Sequence, residues 1–151
     1  MVKILLNIMI CATLLLGGNM QQNIQYYLTN YNCAQIAING NCYDVKEVDD
    51  LNSVLITMLQ DSHTMPAYGV SLHNETIAAV QNGVWLILNF EDENWLDDMN
   101  FDQLLINVEP DFSGFNIIRG NNGKYEGRCY YIDLSNTTMK LLYDWIKTQA
   151  I

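Results

Sequence analysis

Polar and apolar positions alternate in CAQIAINGNCYDV, Cys33–Val45. Ala34, Ile36 and Ile38 share one face with Tyr43 and Val45, and Cys33, Gln35, Cys42 and Asp44 share the other. Between the two runs stands Asn39-Gly40, a dipeptide that readily takes the positive φ angles of a two-residue hairpin turn. The pattern predicts a half-buried hairpin with Ile38 facing Asn41 and Ala37 facing Cys42. The period then changes. Leu51, Val54, Leu55, Met58 and Leu59 recur at helical spacing and predict an amphipathic helix, with Asp49 and Asp50 capping its start and complementing its dipole. A second such stripe, Met139, Leu142, Tyr143 and Ile146, predicts a helix over Thr137–Gln149, capped by Ser135 or Asn136. Ile24, Tyr27 and Leu28 suggest a short helix near the start.

Between these helices the signals are shorter. His63–Ala67 reads as a connector around Pro66, and Tyr68–His73 as a strand. Thr76–Val80 fits a strand, or a short helix capped by Asn74 and stopped by Gly83; the strand is preferred, because Asn82-Gly83 turns directly into VWLILNF. That run, Val84–Phe90, is too apolar for a strand with one wet face and is expected at the centre of a sheet, covered on both sides. Phe101–Val108 is expected to begin as a short helix and continue as a strand, ended by Pro110. A second hairpin follows, with Asn122-Gly123 as its turn, Arg119 opposite Glu126, and Gly127 marking a bulge. Strands clustered in hairpins, with helices between and after them, define an α+β fold: a single domain with an antiparallel or mixed sheet of about five to six strands and two main helices packed on one face.

Residues 1–19 stand apart. Ile4–Leu16 is a thirteen-residue, mostly apolar run behind Lys3, within the range of a secretory signal core and short for a bilayer-spanning helix. The residues around Gly18 make a poor cleavage site, because Leu16 occupies a position that prefers a small side chain. Residues 1–18 are therefore expected to be an anchor, a signal, or a helix packed on the domain formed by residues 20–151; alternatively, translation starts at Met20. Removing them leaves Cys33, Cys42 and Cys129, an odd number. The hairpin register also separates Cys33 from Cys42 by roughly 13 Å along the strands, too far for a disulfide. Free thiols and a start near Met20 would indicate the cytoplasm; otherwise the protein is secreted or membrane-anchored through residues 1–18.

Charge changes the picture more than length does. The chain of 151 residues has a net charge of −10, and its 50% apolar content suffices for a core. Thirteen acids and no Lys or Arg lie between Lys46 and Arg119. Such a surface repels nucleic acid and anionic lipid, so neither is an expected partner, and membrane contact is expected only through residues 1–18. The acids peak in FEDENWLDDMNFDQ, Phe90–Gln103. The stretch does not fit an EF-hand: it lacks the turn glycine, and the twelfth position from Asp92 is Gln103 rather than Glu. Its acids are interleaved with Trp95, Met99 and Phe101, as at an interface with apolar anchors and a charged rim. The rival expectation is a solvated loop pinned to its own core.

Catalytic chemistry is thinly represented. Gly69-Val70-Ser71-Leu72-His73 resembles part of a nucleophile elbow but lacks the closing glycine. Two histidines and scattered cysteines have no zinc spacing, and no cofactor is implied. The function expected is a small acidic protein-interaction domain, of the inhibitor or immunity type, that binds a basic protein. Trp95, Met99 and Phe101 would be the anchors, and Glu91, Asp92, Glu93, Asp97 and Asp98 the steering rim. The alternatives are a secreted or membrane-tethered domain of another role, or a small enzyme using a cysteine thiolate.

Overall fold

The computed structural model describes residues 23–60, 62–111 and 116–150, so the expectations for residues 1–19 lie outside the described residues. In chain order the elements are α1 (Ile24–Leu28), β1 (Cys33–Ile38), β2 (Asn41–Asp44), α2 (Val48–Leu59), β3 (His63–Ser71), α3 (His73–Gln81), β4 (Val84–Leu96), β5 (Met99–Asn107), β6 (Ile117–Gly120), β7 (Gly127–Asp133) and α4 (Asn136–Gln149). Seven strands form one sheet in the order β2-β1-β4-β5-β6-β7-β3, with every neighbouring pair antiparallel. The fold is α+β, with one or two strands more than the sequence pattern implies.

The sheet is covered on both faces. On one, α1, α2 and α4 deliver Ile24, Tyr27, Leu28, Leu51, Leu55, Met58, Met139, Leu142 and Ile146 onto Ala34, Ile36, Leu86, Leu88, Leu104, Ile106 and Ile117. The other face has a smaller cluster of Ala37, Trp85, Ile87, Leu105, Ile118 and Cys129, covered by Ala79 and Val80 of α3 and by Tyr125. β4 feeds both clusters with alternate side chains, which explains why Val84–Leu88 is continuously apolar. The first hairpin has the expected register, Ala37 against Cys42 and Ile38 against Asn41, with Asn39 at φ 49° and Gly40 at φ 81°. Cys33, Cys42 and Cys129 are free thiols.

Four local expectations are corrected. Thr76–Val80 is helix, not strand: it belongs to α3, where the Trp85 indole donates to the Ala79 carbonyl at 3.2 Å and ties the helix to the sheet. Phe101–Val108 has no helical turn, and Met99–Asn107 is strand throughout. The His63–Ala67 segment is not a connector but the first half of β3. Pro66 is tolerated there because β3 is an edge strand with an irregularity between Pro66 and Val70. At α2 the cap differs: Asp49 and Asp50 lie inside the first turn, and Glu47 precedes it without a side-chain cap. At α4 the Ser135 hydroxyl accepts from the Thr138 amide at 3.2 Å, as expected.

Candidate functional site

The acidic stretch is not a loop. It is the outer half of the β4–β5 hairpin, with Asp97 and Asp98 as its two-residue turn and Asp97 at φ 56°. β1 pairs with β4 only as far as Asn89, and β6 pairs with β5 only as far as Gln103. Phe90–Asp102 therefore forms a two-stranded arm beyond the body of the sheet.

Irregular pairing makes the arm bend. From Asn89–Gln103 to Asn94–Phe101, β4 advances five residues while β5 advances two. The surplus contains Glu91, Asp92 and Glu93, so these acids bulge out of the ladder. The bend is visible in a distance. Leu104 pairs with Arg119 in the sheet, and a straight strand would carry Asp98 about 20 Å from Leu104. Asp98 Oδ1 instead lies 3.1 Å from Arg119 Nη2. The arm curls back over the face that carries α1.

Its inner side is apolar. Leu96 and Phe101 are buried in the main cluster, and Phe101 meets Tyr27 and Phe90 edge to face at 4.9 and 5.5 Å between ring centres. Trp95, opposite Asn100 in the ladder, points outward and is 62% exposed. Met99 is half-buried; a Cβ on Gly127 would come within 2.8 Å of its sulfur, so this glycine, at φ 119°, leaves room for it.

Arg119 clamps the tip. Its side chain has no exposed surface, yet it lies over the Tyr130 ring and donates to the carbonyls of Leu96 and Arg128 and to the Asp98 carboxylate. Asp98 is held below the ordinary carboxylate range, first by that hydrogen bond and further by the positive charges of Arg119 and Arg128. The Tyr130 hydroxyl donates to Asp97 Oδ2; burial, then this bond, raises the phenol's pKa above its ordinary value. The expected Arg119–Glu126 pairing does not form. The Asn122-Gly123 turn and the Asn121–Lys124 bridge are present, but Ile117, four residues back from Asn121, pairs with Tyr130 rather than Arg128. The two surplus residues around Gly127 turn Arg119 toward the arm.

The structure thus divides the sequence-derived site. Phe101 is removed from the anchors, because a fully buried ring contacts no partner. Asp97 and Asp98 are exposed but committed to Tyr130 and Arg119. Glu93 accepts from the Asn121 side chain at 2.9 Å, and Asp102 from the Asn122 amide at 3.1 Å. The carboxylates of Glu91 and Asp92 make no hydrogen bond or ion pair with the described residues, and both residues are exposed, four and three positions before Trp95 in β4. The sequence pairs Arg119 with Glu126 across the hairpin; its place directly after the apolar Ile117-Ile118 is the one signal in the chain that points to its burial.

Three of the residues with catalytic chemistry, Ser71, His73 and Cys129, make structural contacts, while Cys33 and Cys42 are exposed. The Ser71 hydroxyl donates to the carbonyls of Tyr125 and Gly127, at 3.1 and 3.3 Å. His73 Nδ1 accepts from the Tyr125 amide at 3.3 Å, and the two rings stack at 5.7 Å. Cys129 is buried, which pushes its thiol pKa up, away from a reactive thiolate. Among the described residues no group of three His, Cys, Asp or Glu side chains is placed to hold a metal ion, and no helix is long and apolar enough to cross a membrane.

Compared with family models, curated proteins and solved structures, the chain matches none.

Proposed function

We propose that this protein is a small acidic interaction domain that binds a basic protein through its β4–β5 arm, in the manner of an inhibitor or immunity protein. The observation that carries the reading is the division of the arm: a buried, clamped inner side, and, on the same β4 strand, an exposed Trp95 and two exposed, uncommitted carboxylates, Glu91 and Asp92. Trp95 is 62% exposed, so most of its surface is left without intramolecular packing, and aromatic anchors rimmed by charge are a common composition of binding hot spots. The clamp adds preorganisation. A tip held by Arg119 and Tyr130 loses little conformational freedom on binding, which lowers the entropic cost of association. Glu91, Asp92 and Glu93 supply the steering field, with Asp98 and Asp97 partly offset by their own partners. Met99, paired with Leu96 across the hairpin, lies with it on the inner side against Gly127, and Phe101 fixes the arm to the core.

The experiment is affinity capture from native cells with the full chain as bait, followed by binding measurements on the captured protein. The reading expects a basic partner whose affinity falls steeply between about 0.05 and 0.5 M salt and drops about tenfold or more for Trp95→Ala. An affinity indifferent both to salt and to Trp95→Ala would overturn it.

A further inference from the structure

The acidic arm is bordered by bases at both ends. At its base, the turn of the β6–β7 hairpin lies against it: the Asn121 side chain donates to Glu93 at 2.9 Å, and the Asn122 amide to Asp102 at 3.1 Å. Two backbone hydrogen bonds, of 2.9 and 3.0 Å, tie Lys124 to Asn121, so Lys124 stands beside that contact. At the tip, Arg119 Nη2 lies 3.1 Å from Asp98 Oδ1 and 3.2 Å from the Arg128 carbonyl oxygen, so Arg128 stands beside the clamp. Both bases are exposed, and neither side chain makes a hydrogen bond or ion pair with the described residues. Glu126, also exposed, separates them in the chain. The bases of α4 are placed differently: Lys140 is 2.7 Å from Asp144, and Lys147 lies over the Tyr143 ring at 5.8 Å.

Any partner seated on Trp95 reaches these bases. Trp95 is two residues from Glu93 on one side and two from Asp97 on the other, about 7 Å each way along a strand. A standard interface takes about 800 Å² from each partner, a disc of roughly 16 Å radius. Centred on Trp95, it covers the contacts at both ends of the arm and the two bases beside them. A purely basic surface would there meet two unpaired cations, and like charges brought together across an interface cost affinity. We propose that the partner is a folded protein whose basic patch carries acids of its own, opposite Lys124 and Arg128, and not an extended polycation. The inference rests on the arm being the binding site, and it makes Lys124 and Arg128 residues that determine specificity. Glu91 and Asp92 attract basic proteins in general. The flanking bases favour a surface with the matching mixed pattern and reject an unbroken run of lysines and arginines.

The test uses the full chain and the partner captured on it. Lys124→Glu/Arg128→Glu and Lys140→Glu/Lys147→Glu make the chain more acidic by the same amount, one beside the arm and the other on α4. Net charge alone would tighten binding to a basic partner in both cases. The proposal expects the Lys124/Arg128 pair to lower affinity about tenfold or more, chiefly through faster dissociation, and the α4 pair to leave it equal or raise it. Lys124→Gln/Arg128→Gln, which adds no new charge, should lower affinity by a smaller factor while keeping the parent's midpoint in urea unfolding. Poly-L-lysine, added as a competitor at about 0.15 M salt, should displace the partner only far above the partner's own Kd. Affinity raised or unchanged by Lys124→Glu/Arg128→Glu would overturn the proposal, and displacement by poly-L-lysine at the partner's Kd would assign the arm to an extended polycation and overturn it too. The two readings fail separately. A partner indifferent to salt and to Trp95→Ala overturns both, whereas one that depends on both and binds tighter after Lys124→Glu/Arg128→Glu overturns this one alone.

Discussion

Arg119→Met tests the clamp. Methionine roughly preserves the volume of the side chain and removes all its donors, so the main effect is on the acceptors left behind. The Leu96 carbonyl is buried and loses its donor, at about 1–3 kcal/mol. The Arg128 carbonyl is part-buried and recovers some hydration, so its share is smaller. Asp98 returns to water from an ion pair whose carboxylate is already 59% exposed; solvent screening limits that loss to about 1 kcal/mol or less. Against these stands the desolvation of a buried guanidinium, which the substitution relieves. The balance is about 2–3 kcal/mol of destabilisation, a large part of the roughly 5–15 kcal/mol available to a domain. Urea unfolding followed by circular dichroism measures it: the midpoint should fall while the slope stays constant. Asp98→Asn should cost about 1 kcal/mol or less by the same assay. The reasoning is refuted if Arg119→Met lies within about 0.5 kcal/mol of the parent, or if Asp98→Asn costs as much as Arg119→Met. The second result would mean that the ion pair, and not the pair of carbonyls, holds the arm.

Two further outcomes follow from burial and titration. Phe101→Ala should destabilise the fold by about 3–5 kcal/mol, whereas Trp95→Ala should stay within about 0.5 kcal/mol, because one ring is fully buried and the other mostly exposed; equal costs in urea unfolding would contradict the assignment of the arm's two sides. Melting temperature should be flat near neutrality and fall at both extremes. Asp98 has a lowered pKa in the fold, so its contribution is complete above the ordinary carboxylate value and is lost as pH falls below about 4. Tyr130 and Tyr31 have raised values, Tyr31 to about 12, so their contribution is complete below about pH 10 and is lost as pH rises beyond it. Asp98→Asn should flatten the acid limb alone, and an unchanged limb would remove Asp98 from the account.

What the sequence reveals follows from how local each signal is. α2, α4 and the first hairpin carry strong periodicity or a decisive turn dipeptide, and they fold as that periodicity implies. Thr76–Val80 misleads because its β-branched residues suit a strand, while α3 has no side-chain cap to announce a helix; the bond from Trp85 to Ala79 and the need to cover Ile87 decide the matter from a distance. Phe101 and Leu104 misread for a geometric reason. They are three apart, as on a helix, yet both face the main cluster because the strand is irregular between them. The acidic stretch was conspicuous by composition, but its division into clamped and uncommitted acids depends on Arg119. The slip in register around Gly127 that aims Arg119 at the arm leaves no periodic trace in the chain.

The central claim is that Glu91 and Asp92 serve recognition and not folding. The most direct measurement compares the full chain with its Glu91→Lys/Asp92→Lys variant, in urea unfolding and in affinity for the captured basic partner. The account predicts an unfolding midpoint within about 0.5 kcal/mol of the parent and an affinity lowered about tenfold or more, chiefly through slower association. An unchanged affinity, or a loss of stability large enough to explain the loss of binding, would contradict it.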